Sequence, residues 1–329
     1  MKKRFILSVT SLLLLCKLAV AEEAQPPTLD SGLSIGGYSS LSIKAPRDSA
    51  TELALDNLSL IAHWEGESRL KFFSELELEH PFIWNKDDHS TKKEANFDLE
   101  RLYLDYNLSE KLNLRAGRFL TPAGNWNLLH AAPLVWTSTR PLVTSRLFPS
   151  STNGLMLYGS VPMQNSAFEY TFFAETLKDQ VHDDDEIRFR DVGGARFTFN
   201  NQMNLGLTLL TLREIDPHSP SYRLVGLDFL HKFNDLELSG EAYYRFTDSG
   251  QNGGGGAYLQ SAYLLGNEWY ALTRLETFQS PRDGSAERWL IGATKRLTPK
   301  QLLKMEFVGG TGGIPDEPRG FITSYSVLF

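Results

Sequence analysis

Apolar and polar residues alternate with a period of two along much of this chain. In the clearest stretch, Arg69 to Glu79, one face carries Leu70, Phe72, Ser74, Leu76 and Leu78, and the other carries Arg69, Lys71, Phe73, Glu75, Glu77 and Glu79. Successive side chains of a β-strand point to opposite faces, so this pattern predicts a strand with one apolar and one polar face. The alternation returns at 101–108 and 303–308, and helical periodicity is almost absent.

The connections between the candidate strands differ in length in a regular way. Tight polar joins fall near 65–68, 109–111, 162–166, 200–202, 234–235, 266–268 and 299–300. Longer connections lie between them, near 45–51, 81–95, 120–153, 178–188, 214–221, 248–256, 279–286 and 310–319. Short turns on one side and long loops on the other are typical of membrane barrels. The sequence therefore predicts an all-β fold, a transmembrane antiparallel up-and-down β-barrel of about sixteen strands over residues 32–329, with fourteen and eighteen strands left open.

The amino-terminal segment has the pattern of an export signal. Lys2, Lys3 and Arg4 precede an apolar run at 5–15, and small residues follow at 19–21. This pattern predicts a signal peptide over residues 1–21 and a short periplasmic leader over 22–31. The single cysteine, Cys16, lies within the predicted signal peptide, so the mature chain is expected to have no thiol and no cysteine-based metal site.

The carboxyl-terminal segment reads as the closing strand of the barrel. Phe321, Thr323, Tyr325, Val327 and Phe329 alternate on one face of GFITSYSVLF. This ending resembles the last strand of bacterial outer-membrane β-barrels, and the resemblance implies that Phe321, Tyr325, Val327 and Phe329 are an assembly signal for the barrel assembly machinery. We expect this strand to pair with the first strand, near residues 32–44, so that no edge remains.

The charge excludes one class of partner. The net charge is −7, and it becomes −11 when the four positive charges of the predicted signal peptide are removed. Nucleic-acid binding calls for clustered basic surface, so no nucleic acid is expected as a partner. No cofactor and no metal site are predicted. The acidic run from His182 to Glu186 is interpreted as a solvated loop rather than a divalent-cation site, and Gly253–Gly256 as a flexible loop tip rather than a phosphate cradle.

Residues 120–153 are the longest connection and the least like a solvated loop. They include Trp126, Leu128, Leu129, Val135, Trp136, Leu142 and Phe148 among few charges. A long apolar connection in a compact fold is usually functional. This is the third external loop by our count, and we expect it to fold into the barrel. Packing over the barrel mouth or in a subunit interface is the alternative.

The residues from Leu112 to Pro141 carry a family resemblance. Arg115, Gly117, Arg118, Phe119, Pro122 and Gly124 match the R-x-G-R/Q-F-x-x-P-x-G stretch of the phosphate-selective porin family and related porins. The resemblance covers about thirty residues, and it implies a pore. The predicted inward positions mix both signs, so no ring of positive charge is evident and phosphate specificity does not carry over. Among these positions are Arg101, Arg196, Arg274, Glu169, Glu241 and Glu276.

The candidate constriction combines residues of the loop with residues of the wall. Arg115, Arg118, Arg140 and Arg146 are expected to converge there and to face Glu75 and Glu77, with Trp126 and Trp136 as apolar anchors. Such an arrangement would set a transverse field across the pore. In the other interpretation the arginines only anchor the loop to carboxylates of the wall.

These observations favour an outer-membrane porin for small hydrophilic solutes in a Gram-negative bacterium. Two alternatives stay open: an outer-membrane barrel enzyme, and a non-conducting adhesin or scaffold. The seven histidines are scattered and no nucleophile motif accompanies them, so no catalytic residue is assigned. The expected partners are outer-membrane lipid and lipopolysaccharide, the assembly machinery and small solutes; analogy with other sixteen-stranded porins also leaves room for a homotrimer.

Overall fold

The computed structural model describes residues 32–47, 50–86, 91–92, 95–178, 188–215, 220–312, 314 and 318–329. The predicted signal peptide, the predicted leader and the acidic run from His182 to Glu186 lie outside these residues. No helix in the described part of the chain is long and apolar enough to span a membrane.

Sixteen antiparallel strands form the wall within the described ranges. They are β1 (Leu33–Pro46), β2 (Glu52–Glu65), β3 (Leu70–Asn85), β4 (Asn96–Ser109), β5 (Leu112–Leu120), β6 (Ser151–Met163), β7 (Ser166–Glu175), β8 (Phe189–Asn200), β9 (Met203–Glu214), β10 (Ser221–Phe233), β11 (Leu236–Thr247), β12 (Asn252–Gly266), β13 (Trp269–Ser280), β14 (Gly284–Thr298), β15 (Gln301–Gly312) and β16 (Gly320–Leu328). A two-residue strand, Thr91–Lys92, pairs with β3 in the connection to β4.

The sheet closes on itself through its first and last strands. β1 pairs with β16 from Tyr38 opposite Leu328 to Pro46 opposite Gly320. Beyond the end of β16, the backbone N–H and C=O of Phe329 both bond to Gly37 at 3.0 Å. The predicted closed barrel of about sixteen strands is confirmed, and every strand in the wall has a partner on both sides.

Alternation along the strands separates an apolar outer face from an inner face that carries the buried charged residues. Leu227, Leu275 and Ile291 are exposed on the outside, at 59%, 63% and 54%. Their sequence neighbours point inward, where Asp228, Arg274 and Glu276 are buried. In the last strand, Phe321 and Phe329 are exposed while Ile322, Ser324 and Ser326 are buried, so the two aromatic residues share the outer face.

The two ends of the barrel differ as the connections predicted. Two-residue turns such as Asn234–Asp235 and Pro299–Lys300 mark one end, called here the short-turn end. The other end, called the long-loop end, carries the connection of residues 121–150.

The interpretation of Gly253–Gly256 as a loop tip was wrong. These glycines lie within β12, where Gly254–Gly256 pair with β11.

Candidate functional site: the lumen and its inward loop

Residues 121–150 lie inside the barrel, as the apolar content of this loop predicted. Leu142, Val143, Leu147 and Phe148 are at most 1% exposed. They pack in one apolar cluster with inward residues of the wall: Phe119, Met156, Phe173, Leu210, Leu212, Leu224, Tyr243, Tyr258 and Phe278. A short helix, α1 (Leu142–Arg146), belongs to this packed part of the loop. The apolar side chains of the loop are therefore buried against the inner wall.

A buried ion-pair network holds the part of the loop between Thr139 and Leu142. Glu276 accepts bonds from Arg274 Nε at 2.7 Å and from Arg288 Nε at 2.9 Å. The same carboxylate accepts the backbone N–H of Leu142 at 2.8 Å. Arg274 also donates to the hydroxyl and the carbonyl oxygens of the loop, at Thr139 Oγ1 (2.8 Å) and Thr139 O (2.9 Å). The carboxylate and both guanidinium groups have hydrogen-bond partners, so the network fixes the loop to β13 and β14.

A second carboxylate, Glu241 of β11, accepts hydrogen bonds from the start of the loop. Its Oε1 accepts the backbone N–H groups of Asn125 and Trp126, at 3.0 and 2.7 Å. Gly124 has φ +64°, and a Cβ placed there would lie 1.9 Å from Glu241 Oε2 and 2.2 Å from the hydroxyl oxygen of Tyr243. Only glycine fits this close approach without displacing the loop or the wall.

The middle of the loop reaches the short-turn end and the closing seam. Trp136 Nε1 donates to Glu237 Oε1 at 2.7 Å, and Glu237 follows the short turn at 234–235 by two residues. Lys304 Nζ donates to the carbonyl of Ala132 at 2.6 Å, and Ser138 Oγ lies 2.7 Å from Ser324 Oγ. The loop therefore extends through most of the height of the barrel.

The loop separates two polar cavities in the lumen. The larger, called the arginine-side cavity, has about 440 Å³ and is bounded by β4 to β9; its charged lining residues are Arg101, Arg115, Glu169 and Arg196. The smaller, called the seam-side cavity, has about 290 Å³ and lies against β1, β2 and β16, with Lys44, Asp56, Trp126, Arg140 and Lys304 in its lining.

Four of the predicted constriction residues belong to the wall, and three of them, Glu75, Glu77 and Arg115, have partners on neighbouring strands. Arg115 lines the arginine-side cavity and forms two hydrogen bonds to Asp105, at 2.7 and 2.8 Å. Glu75 pairs with Arg101 instead of facing an arginine of the loop. Glu77 accepts bonds from Tyr38 at 2.9 Å and Ser59 at 2.6 Å. Of these three, only Arg115 lines either of the two cavities described above.

Arg118 does not accompany Arg115. The register places Arg118 opposite Leu102, whereas Arg115 is opposite Asp105. Leu102 is 39% exposed on the outer face and Asp105 is buried on the inner one. Arg115 and Arg118 are an odd number of residues apart in one strand, so they point to opposite faces. The structure therefore does not bring all four predicted arginines together.

The loop residues of the predicted set lie at different heights. Arg140 Nη2 bonds to Asn127 Oδ1 at 2.7 Å and to the carbonyl of Thr144 at 2.6 Å, and its guanidinium lies 5.2 Å from the ring of Trp126. Arg146 pairs with Asp283 at 3.4 Å near the long-loop end. Trp136 packs against Tyr270 near the short-turn end, with ring centroids 4.5 Å apart and ring planes tilted by 40°. Arg146 therefore joins the loop to a carboxylate near the rim of the wall, whereas these contacts of Arg140 lie within the loop.

Sequence reasoning missed the residues that anchor the loop to the wall. Alternation marked Arg274, Glu276 and Glu241 as inward, yet it gave no signal that these groups bind a backbone more than 100 residues away. Arg196 of β8 likewise pairs with Asp228 at 2.5 and 2.9 Å and donates to Asn125 of the loop at 3.2 Å.

His130 is the histidine of the inward loop, and its contacts bear on the enzyme alternative. His130 Nδ1 lies 3.0 Å from the carbonyl of Asn127, and Nε2 lies 3.6 Å from Glu100 Oε1. Ser151 donates to Glu100 Oε2 at 3.2 Å rather than to the imidazole, so Ser151 and His130 do not form a nucleophile–base pair. No group of three or more metal-ligating side chains was found among the described residues.

Comparison with known proteins identifies the fold. No family model matches the chain. A 136-residue segment, 40% of this chain, is 36% identical to an uncharacterized protein of Aquifex aeolicus (strain VF5), of which it spans 30%. The chain therefore spans less than a third of that relative.

Solved structures resemble almost the whole barrel. The anion-selective porin from Comamonas acidovorans has a TM-score of 0.62 at 16% identity, over 90% of this chain and 99% of that one. The trimer form of Vibrio cholerae OmpT gives 0.61 at 9% identity, with the same coverage. The outer membrane channel DcaP of Acinetobacter baumannii gives 0.59 at 11%, over 93% and 100%. This chain has the fold of outer-membrane porins.

Proposed function

We propose that this protein is an outer-membrane porin of a Gram-negative bacterium. It forms a water-filled channel through which small hydrophilic solutes and ions diffuse passively. The long-loop end faces the outside and the short-turn end faces the periplasm, as in other outer-membrane barrels. Outer-membrane lipid surrounds the apolar outer face, and lipopolysaccharide is the expected neighbour at the external rim.

The course of the arginine-side cavity is the observation that carries this proposal. At one end the cavity is lined by Pro122, just beyond the last residue of β5 at the long-loop end. At the other it is lined by Asn200 and Asn204, which flank a short turn. The lining of this polar cavity thus extends from the inward loop to the short-turn end of the wall. A polar cavity beside the loop supports a diffusion channel and is not needed by an adhesin.

The loop of residues 121–150 acts as the constriction. It occupies the side of the lumen next to β9–β16 through the contacts at Glu241, Glu276 and Lys304, and it leaves the arginine-side cavity open along β4–β9. In this proposal Arg115 lines the passage, whereas Arg140, Arg146, Trp126 and Trp136 keep the loop in place. Glu75 and Glu77 stabilise the wall behind it, and Arg118 lies outside the permeation path.

With the predicted signal peptide removed, the chain would have no cysteine, which allows a direct test in planar bilayers. Thr171 lines the arginine-side cavity, and its neighbour Phe172 is 48% exposed on the outer face. Purified, folded protein should give discrete conductance steps. A cationic methanethiosulfonate reagent should reduce the conductance of Thr171→Cys and leave that of Phe172→Cys unchanged.

Two outcomes would reject the proposal. A protein that is folded by heat-modifiable gel mobility yet never conducts is not a porin. Equal block of both cysteine variants, or of neither, would place the ion path outside the arginine-side cavity.

Homotrimer formation and recognition by the assembly machinery are proposed by analogy with porin folds. The trimer form of the Vibrio cholerae protein supports the first. The outward Phe321 and Phe329 support the second, because a recognition signal must be accessible before the barrel closes.

A further inference from the structure

We propose that Glu169 gives the arginine-side cavity a preference for cations. This inference rests on the proposed channel function and deepens it by naming the charge class of the favoured solute. It is the opposite of what the three arginines of the cavity suggest at first sight.

Each of those arginines is matched by a carboxylate of its own. Arg101 pairs with Glu75, Arg115 with Asp105, and Arg196 with Asp228. An arginine and a carboxylate in contact form a dipole whose field falls off faster with distance than that of a single charge. The three pairs therefore contribute little net potential to an ion in the middle of the passage.

Glu169 is the charged lining residue without such a match. It alternates with Thr171 on the inner side of β7, and its side chain is exposed to the cavity. Within the described ranges, no hydrogen bond or ion pair reaches its carboxylate. The cavity thus carries one uncompensated negative charge.

The register keeps the nearest arginines away from Glu169. Glu169 is opposite Ser160 of β6, while Arg115 is opposite Met156 of the same strand. Four residues along a strand and two strand spacings separate their backbones by roughly 16 Å. Arg196 is closer, on β8, but its two Nη atoms both bond to Asp228 on the far side.

The prediction is a moderate cation preference, because a single lumenal charge acts through water and salt. With a low-salt gradient of about 0.1 M against about 0.02 M KCl, where the Debye length is about 10 Å or more, the permeability ratio of K⁺ to Cl⁻ should be roughly two to four. Glu169→Gln should bring it to about one, and Glu169→Lys should bring it below one.

Two further variants sharpen the test. Thr198 is directly opposite Glu169, so Thr198→Lys places a positive charge beside an unchanged Glu169 and should also lower the ratio. Glu287→Gln removes the same charge from an exposed position on the outer side of β14 and should leave it unchanged.

The outcomes separate this inference from the proposed function. A channel that conducts but prefers Cl⁻, or whose ratio does not respond to Glu169→Gln and Thr198→Lys, overturns the role of Glu169 and leaves the porin intact. A folded barrel that does not conduct at all overturns the porin, and the inference with it.

Discussion

Arg115 holds Asp105 of the neighbouring strand by two hydrogen bonds, Nε to Oδ1 at 2.7 Å and Nη2 to Oδ2 at 2.8 Å. Its guanidinium also lies 3.6 Å from the ring of Tyr103, which stacks on Phe73 at 5.2 Å. Arg115, one of the two arginines in the stretch that carries the family resemblance, is therefore built into the wall. Its charge is compensated before any solute arrives.

This pairing predicts an effect of Arg115→Ala on ion selectivity. Removing the guanidinium leaves Asp105 as a second uncompensated carboxylate, so the K⁺ to Cl⁻ permeability ratio should increase by about twofold. The double variant Arg115→Ala with Asp105→Ala should return to the ratio of the unaltered protein. Arg118→Ala removes the same charge from the other face of β5 and should have no effect. If Arg118→Ala changed the reversal potential as much as Arg115→Ala does, the assignment of the two faces would be wrong.

The second prediction concerns the stability of the loop anchor. Arg274 is fully buried, and its removal leaves Glu276 with one arginine fewer and strips the bonds to Thr139. Arg274→Ala should lower the free energy of unfolding by roughly 3–5 kcal/mol, measured by urea titration in lipid vesicles. It should also increase open-channel current noise, because the loop loses the bonds that join Thr139 to β13.

A surface pair provides the matched control. Arg223 and Asp248 form an ion pair at 3.1 Å with side chains 60% and 57% exposed. Arg223→Ala should lower the free energy of unfolding by at most about 1 kcal/mol, since exposed ion pairs are well solvated and screened. Equal losses in the two variants would show that burial does not distinguish these ion pairs.

The third prediction separates backbone strain from steric contact at the start of the loop. Gly124 and Gly250 both have positive φ, at +64° and +80°, so alanine is strained at either position. A Cβ at Gly124 meets Glu241 at 1.9 Å, whereas a Cβ at Gly250 has nothing within 4 Å. Gly250→Ala should lower the free energy of unfolding by about 1 kcal/mol. Gly124→Ala should lower it by roughly 1–3 kcal/mol more, measured by urea titration in lipid vesicles. If the Gly124→Ala barrel were as stable as the Gly250→Ala barrel, the loop would rearrange around the new side chain with no loss of stability.

Local sequence patterns were sufficient for the wall. Strand alternation depends only on the near neighbours of a residue, so the outward Leu102 and Leu104 and the inward Asp105 could be read from the chain alone. Gly253–Gly256 show where composition misleads. A run of glycines suggests a loop, but both neighbouring strands supply backbone partners to Gly255 and Gly256. A Cβ at Gly256 would approach the carbonyl oxygen of Thr277 to 2.3 Å, so glycine is required by close packing.

The site could be predicted only in part, because its contacts depend on the path of the loop. The apolar residues of the loop indicated an inward fold. The pairing of Leu142 with Glu276, or of Trp126 with Glu241, joins segments more than 100 residues apart. Arg115 and Arg118 illustrate a different failure. Their odd spacing already placed them on opposite faces of one strand, and the grouping by charge alone ignored it.

The last prediction concerns the terminal residue. Phe329 bonds to Gly37 through its backbone, and its ring lies against the same glycine, where an added Cβ would be 2.8 Å from the ring. The backbone bonds do not depend on the side chain, so Phe329→Ala should refold in detergent nearly as well as the unaltered protein. In cells it should give several-fold less assembled barrel in the outer membrane, because the exposed aromatic group is the proposed recognition signal. Phe307→Ala is the control: this phenylalanine is 45% exposed on the outer face, against 53% for Phe329, but lies in β15, away from the terminus. The fraction of Phe307→Ala assembled in cells should fall no further than its refolding yield in detergent falls. Equal yields of assembled Phe329→Ala and unaltered protein in cells would exclude the aromatic terminus as an assembly signal.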